Sequence, residues 1–152
     1  MLPTPRKYFL TAASAEGNSH LTAFDNALLA GGIGNINLIR VSSILPPGAK
    51  YDAGLAIPAG SLVPVAYGHI ISETPGELIA AAVGIAIGAN SLGVIMEFAG
   101  HCPEQEARDK IKEMLDEAFG SRGIEMVDSK IASVEHRVEK IACALAAVPM
   151  WY

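Results

Sequence analysis

Aromatic side chains are scarce in this chain of 152 residues, where they make up only 6% of the composition. The hydrophobic share nevertheless reaches 51% and the mean hydropathy is +0.33, so alanine, isoleucine, valine and leucine carry most of it. The length predicts a single domain over residues 1–152. Because one small domain hides so much apolar surface poorly, we expect part of it to be buried between subunits.

Cysteines are few, and basic runs and clustered histidines are missing. The two cysteines, Cys102 and Cys143, lie far apart without a CxxC motif, which excludes a disulfide framework and suits a reducing cytoplasm. The net charge of −5 and the absence of a basic run argue against a nucleic-acid partner. The four histidines are scattered, so the sequence predicts no metal site.

Signal peptides and membrane spans are not expected either. The first residues contain prolines and early charges, and their apolar run is too short for a signal peptide, so we expect a cytoplasmic protein. Two stretches, 53–72 and 78–96, lack charge and approach the length of a membrane span. Both contain prolines or several glycines, and they are better interpreted as buried strands joined by turns.

The clearest strand lies between Glu77 and Gly88. Its large apolar residues share one parity and its alanines and glycines share the other, which is the strand period. One large and one small face predict close packing of the small face on another layer. Residues 90–93 then predict a hairpin turn, with the chain returning as a strand over Gly93–Ala99.

Two helices and several further strands complete the predicted fold. Apolar spacing predicts helices over Leu21–Leu29, ended by Gly31-Gly32, and over Pro103–Phe119, ended by Gly120. This pattern indicates an α+β domain with mostly antiparallel sheet. Further strands are predicted at Lys7–Ser14, at Ser61–Ser72 with an edge or bulge near Pro64, at Ile124–Val138, and at Lys140–Val148 with Cys143 in the core.

A serine pair stands where another strand is forced to stop. The apolar, branched residues around Leu38 and Ile39 predict a buried strand that ends in Ser42-Ser43. Pro46-Pro47 then removes two backbone donors, so the strand cannot continue. Taken by itself, a serine pair before Pro-Pro-Gly is most often an ordinary turn.

The run VSSILPPG, preceded by GGIGNINLIR, resembles the self-cleavage segment of the pyruvoyl-dependent arginine decarboxylases. Further matches are Phe24-Asp25 upstream and GVIME, residues 93–97, downstream. The similarity extends over nearly the whole chain. It implies a four-layer αββα sandwich with mostly antiparallel sheets, assembled as a homotrimer.

The resemblance also implies a self-processing reaction. The Ser43 hydroxyl attacks the Ser42 carbonyl, and the resulting ester eliminates, which divides the chain into 1–42 and 43–152. The dehydroalanine left at position 43 hydrolyses to ammonia and a covalent pyruvoyl group, which does the work that pyridoxal phosphate does elsewhere. Asn37 resembles the family's asparagine at this position and could help to hold the oxyanion, although it could equally cap a bend in the strand.

The implied reaction is the decarboxylation of L-arginine to agmatine and CO2, a carboxy-lyase step that could serve polyamine biosynthesis or acid resistance. Glu97 resembles the family's proton donor, and its apolar neighbours would raise its pKa and keep it protonated. Asp25 resembles an acid that binds the substrate guanidinium, although by itself it reads as a solvated helix carboxylate. Two alternatives stay open: the same chemistry on another amino acid, and a non-cleaving trimeric homologue that binds a ligand or serves a structural role.

Overall fold

Two helices and ten strands make up the protein, and the computed structural model describes all residues from 1 to 152. The elements are β1 (Lys7–Tyr8), β2 (Thr11–Glu16), α1 (His20–Ala30), β3 (Asn37–Arg40), β4 (Ile44–Leu45), β5 (Lys50–Tyr51), β6 (Leu62–Ser72), β7 (Leu78–Gly88), β8 (Gly93–Gly100), α2 (Glu104–Arg122), β9 (Met126–Arg137) and β10 (Ala142–Trp151). No helix is both long enough and apolar enough to cross a membrane.

The strands form two sheets that face each other. The first sheet has six strands in the order β3-β6-β10-β1-β5, with β2 also paired to β10, and it mixes parallel and antiparallel pairs. The second sheet is wholly antiparallel, in the order β4-β8-β7-β9. Helix α1 packs on the outside of the first sheet and α2 on the outside of the second. The four-layer αββα sandwich is therefore confirmed.

Three apolar layers hold the sandwich together, and β7 contributes to two of them. Its large residues, such as Ile79 and Ile85, join the core between the sheets, while Ala80 and Ala82 lie under α2. At Gly84 a Cβ atom would lie only 2.3 Å from Cγ2 of Ile111. The small face of β7 is small because the helix lies directly on it, as the alternation predicts.

Helix α1 closes the third apolar layer, over β6 and β10. Ser19 caps its first turn, accepting from the Thr22 N–H while the Thr22 hydroxyl accepts from the Ser19 N–H. Its Ala27 packs in one cluster with Cys143, and both are fully buried. The predicted core position of Cys143 is therefore confirmed.

The strand before the serine pair is not buried within this chain. Strand β3 lies at the edge of the first sheet, with β6 as its one neighbour, and 48% of Ile39 is exposed. The sequence prediction of a buried strand was wrong for the single chain. An apolar pattern reports that a residue is to be covered, but it does not report whether the cover belongs to the same chain.

Smaller differences concern the ends of elements. The predicted first strand is interrupted at residues 9–10, opposite Pro149, which has no N–H to donate to the ladder. Helix α2 continues through Gly120 and ends at Gly123, whose φ of +64° suits a left-handed cap. Near Pro64 strand β6 pairs with β3 alone, so that end is a local edge, as predicted.

Candidate active site

The Ser42-Ser43 peptide bond lies where the chain crosses from one sheet to the other. Strand β3 belongs to the first sheet, and its ladder ends at the bond from the Val41 N–H to the Val65 carbonyl, 3.1 Å long. Strand β4 belongs to the second sheet, and the Ile95 N–H donates to the Ser43 carbonyl over 2.7 Å. The bond between the two serines therefore lies between the ladders: Ser42 belongs to neither, and Ser43 joins the second only through its carbonyl.

The segment after the serines is anchored in the core. Leu45 is 2% exposed and packs in the core between the sheets. Its strand lasts only for Ile44-Leu45, because Pro46 and Pro47 follow. Because Leu45 is buried two residues after Ser43, it fixes the position of Ser43 along β8.

Glu97 lies on the same strand that holds the Ser43 carbonyl. It comes two residues after Ile95, so the two side chains share the face of β8 that looks between the sheets. Its Cβ and Cγ pack on Gly68 of β6, where an added Cβ would lie 3.2 Å from each. Burial raises the pKa of Glu97, and the nearby Arg40 cation partly offsets that rise.

Arg40 was not predicted as a site residue, although it stands two residues before Ser42. Its guanidinium donates over 2.9 Å to the Tyr67 carbonyl and lies 4.8 Å from the centre of the Tyr67 ring. Gly68 was not predicted as a site residue either. A lone glycine inside a predicted strand is a recognised signal of close approach, and here it makes room for Glu97.

Asn37 does not lie beside the serine pair of its own chain. It stands at the exposed start of β3, five residues before Ser42, and extended backbone carries it away at about 3.3 Å per residue. Its side-chain amide donates to the Gly60 carbonyl over 3.0 Å. Within one chain, Asn37 ties a turn to the edge strand.

Asp25 lies on the opposite face of the first sheet from Glu97. It is exposed on α1, next to Phe24, whose ring centre lies 4.9 Å from that of His69. Partial burial lowers the pKa of His69, and the Arg40 cation adds to that effect. The structure thus brings Ser42, Ser43 and Glu97 together, and it places Asn37 and Asp25 elsewhere.

A second polar cluster joins the two sheets away from the serine pair. The His136 ring on β9 contacts the Ser14 hydroxyl at 2.9 Å and the Glu16 carboxylate at 2.5 Å, both on β2. No local pattern indicated this Ser-His-Glu group, because the three residues lie up to 122 positions apart. No group of three or more histidine, cysteine, aspartate or glutamate side chains is arranged to hold a metal ion.

The fold and the site define an αββα sandwich that crosses between its sheets at a serine pair, with a half-buried acid on the adjoining strand. The sequence model of the pyruvoyl-dependent arginine decarboxylase family (PvlArgDC) matches residues 7–152. The chain belongs to this family, whose name implies a covalently bound pyruvoyl group and a carboxy-lyase reaction.

Several relatives are similar over almost their full length. The pyruvoyl-dependent arginine decarboxylase of Methanocaldococcus jannaschii is 48% identical over 150 residues, covering 97% of this chain and 91% of the relative. Those of Pyrococcus horikoshii and Thermococcus kodakarensis are 45% and 43% identical, and each match covers 97% of this chain and 96% of the relative. The resemblance of the serine segment therefore extends over the whole domain.

Proposed function

We propose that this protein decarboxylates L-arginine to agmatine and CO2 after cleaving itself between Ser42 and Ser43. One observation supports this above all: the serine pair occupies the crossover between the sheets, and the strand that holds its second carbonyl also carries Glu97. The family and the names of its relatives support the choice of arginine as substrate.

The residues of this chain divide the work of processing. The Ser43 hydroxyl attacks the Ser42 carbonyl carbon, and the acyl group moves from nitrogen to oxygen. Elimination then releases residues 1–42 with a new carboxylate at Ser42. The Ile95 N–H keeps the Ser43 carbonyl on β8 throughout, so the new end of 43–152 stays where it was made.

Ser43 is the residue that fits the pyruvoyl group, since its carbonyl accepts a hydrogen bond from β8 while its N–H makes no backbone hydrogen bond. Once formed, that group supplies the electron sink for loss of CO2. Glu97 then returns a proton to the substrate carbon. Burial favours its neutral form, which is the form a proton donor needs.

Asp25 and Asn37 complete the proposed site from a neighbouring chain of a homotrimer. The first sheet separates Asp25 from the Glu97 of its own chain, and Asn37 lies away from its own serine pair. Exposed apolar side chains near both support such an assembly: Leu21, Ile39 and Leu62 are 75%, 48% and 64% exposed. A stable monomer in sedimentation equilibrium at micromolar concentration would contradict this arrangement.

Intact-mass measurement of the purified protein tests the proposal. We expect two fragments, 1–42 and 43–152, with a blocked amino end on the second. Ser43→Ala should stay whole, while the control Ser121→Ala, on the exposed end of α2, should cleave like the wild type. A folded wild-type protein that stays in one piece would favour the non-cleaving homologue.

Release of labelled CO2 identifies the substrate. Carboxyl-labelled arginine, ornithine and lysine are offered to the cleaved protein under the same conditions. We expect release from arginine above all, because Asp25 provides a carboxylate that matches a guanidinium. Faster release from another amino acid would favour the alternative of the same chemistry on a different substrate.

The two free, buried cysteines support our proposal of a cytoplasmic protein.

A further inference from the structure

We propose that Arg40 is a positioning residue for both processing and decarboxylation: it occupies the sheet acceptor that the Ser43 amide would otherwise take, and it fixes a positive charge beside Glu97. The inference rests on the proposed function. It concerns a residue that carries neither the nucleophile nor the transferred proton.

The first observation is the register at the edge of the first sheet. The N–H groups of Asn37 and Val41 donate to the carbonyls of Ser61 and Val65. With two more residues of β3, the next donor in this parallel ladder would be the Ser43 N–H and the next acceptor the Tyr67 carbonyl.

The chain instead leaves for the second sheet, and the side chain of Arg40 fills the gap. Its Nη2 donates to the Tyr67 carbonyl over 2.9 Å, while its guanidinium lies 4.8 Å from the centre of the Tyr67 ring. The Ser43 N–H makes no backbone hydrogen bond. Arg40 thereby keeps the scissile amide out of the sheet, and this amide must leave as an amine during processing.

The second observation is the charge that this arrangement leaves behind. Both partners of the guanidinium, a carbonyl and a ring, are neutral, and none of the ion pairs in the chain includes Arg40. No carboxylate of its own chain neutralises this arginine, and two contacts hold its guanidinium in one place.

The guanidinium of Arg40 lies at the Tyr67 carbonyl on the edge of β6, and Glu97 packs on the next residue of that strand, Gly68. The other elements around the carboxyl group present neutral residues: Gly68 from β6, Val83 opposite it on β7, and Ala146 of β10 beside Gly68. Burial raises the pKa of Glu97, and Arg40 opposes the rise. The acid thus stays protonated but gives up its proton more readily than burial alone would allow.

Two substitutions separate the roles. Arg40→Met removes both the hydrogen bond and the charge, whereas Arg40→Lys keeps the charge and loses the planar fork. Arg137→Gln is the matched control, since Arg137 is also exposed and also donates to a backbone carbonyl, that of Gly76 over 2.8 Å. We expect Arg40→Met to cleave about tenfold more slowly than the wild type, as for loss of one charge-assisted hydrogen bond. The control should cleave at the wild-type rate.

The effect of the Arg40 charge on Glu97 can be measured in protein that does not cleave. In Ser43→Ala protein with ¹³C-labelled glutamate, the Glu97 carboxyl signal, assigned with Glu97→Gln, is titrated by NMR. Adding Arg40→Met should move its midpoint to higher pH, because the opposing cation is gone. Adding Arg40→Lys should leave the midpoint close to that of Ser43→Ala.

The outcomes distinguish failure of the proposed role of Arg40 from failure of the proposed function. An unchanged Glu97 midpoint, together with wild-type cleavage by Arg40→Met, would overturn the role of Arg40 and leave the proposed function intact. A wild-type protein that neither cleaves nor releases CO2 would overturn the proposed function itself. In cleaved protein, the loss of turnover at high pH should also shift upward in Arg40→Met; an unshifted limb counts against the inference.

Discussion

The backbone N–H of Ile95 donates to the carbonyl of Ser43 over 2.7 Å. This bond joins the residue after the proposed cleavage point to β8, two residues before Glu97 on the same face. Cleavage between Ser42 and Ser43 would leave the bond intact. The new chain end and the acid would then keep the relationship that the uncleaved fold gives them.

Glu97→Gln tests the proton donor. The amide keeps the shape of the side chain but has no acidic proton, and loss of general-acid catalysis typically lowers a rate by about 10²–10⁴-fold. We expect CO2 release to fall by that order. Borohydride-dependent attachment of labelled arginine to the cleaved variant shows whether substrate still binds covalently.

Near-wild-type turnover in a cleaved, arginine-binding Glu97→Gln protein would exclude the donor role. A variant that stays in one piece would instead assign Glu97 to the processing step. Wild-type turnover should also fall as the pH rises through the pKa of Glu97, which burial raises from its ordinary value. The fall reflects loss of the proton that the donor must deliver.

Asp25→Asn tests recognition of the guanidinium. A carboxylate that pairs with a cation typically contributes about 1.5–3 kcal/mol, which corresponds to about 10–150-fold in KM for arginine. Cleavage should be unaffected, since the proposed role of Asp25 is to bind the substrate guanidinium and not to act on the serine pair. The control is Asp116→Asn, an exposed acid on α2. Equal KM values for Asp25→Asn and wild type would remove Asp25 from the site.

Gly68→Ala tests the fit between β6 and the acid. The added Cβ would lie 3.2 Å from both Cβ and Cγ of Glu97, so that side chain must shift by a few tenths of an ångström. We expect about a tenfold lower kcat with little change in KM, because small misplacements of a catalytic group are costly. The melting temperature should not fall, since alanine also restricts the unfolded chain. A wild-type kcat would show that Glu97 tolerates the displacement.

Gly84→Ala tests the contact between β7 and α2. Its Cβ would lie 2.3 Å from Ile111 Cγ2, so the helix must move, and such overpacking costs about 1–3 kcal/mol. Gly120→Ala is the control, because nothing lies within 4 Å of its Cβ and alanine in a helix is favoured by about 0.5–1 kcal/mol. Urea unfolding at one fixed protein concentration should place the two variants on opposite sides of the wild type. A Gly84→Ala protein as stable as the wild type would refute the close packing.

The Glu16–His136 contact predicts a loss of stability in acid. Burial by itself would raise the pKa of Glu16, but hydrogen bonds from the Lys140 N–H, the His136 ring and the Glu139 N–H lower it overall. A depressed folded-state pKa stabilises the protein above the unfolded pKa, and that stabilisation is lost as the pH falls through the folded value.

The stability difference between wild type and Glu16→Gln should therefore be largest near pH 7 and shrink towards pH 3, as followed by urea unfolding. The control Glu73→Gln changes an exposed acid paired with His20 and should show a smaller difference throughout. A difference between wild type and Glu16→Gln that does not vary with pH would argue against this assignment.

The sequence by itself determined much of the fold. The alternation along β7 gave its strand, its two faces and the close approach of another layer, because each residue's size and polarity act locally through the strand period. Helix α1 with its end at Gly31-Gly32 and the stop at Pro46-Pro47 were also predictable, since the effects of glycine and proline on the backbone need only neighbouring residues. The serine segment, through its resemblance to a family, pointed to Ser42, Ser43 and Glu97.

Only the tertiary structure decided how these parts meet. It placed the serine pair between two sheets, set Arg40 on the Tyr67 carbonyl, and joined Ser14, Glu16 and His136 across the sandwich. It also made β3 an exposed edge and kept Asp25 on the far side of the sheet from Glu97. Such contacts join residues far apart in the chain, and they depend on which strands pair and in what register, which no local pattern encodes.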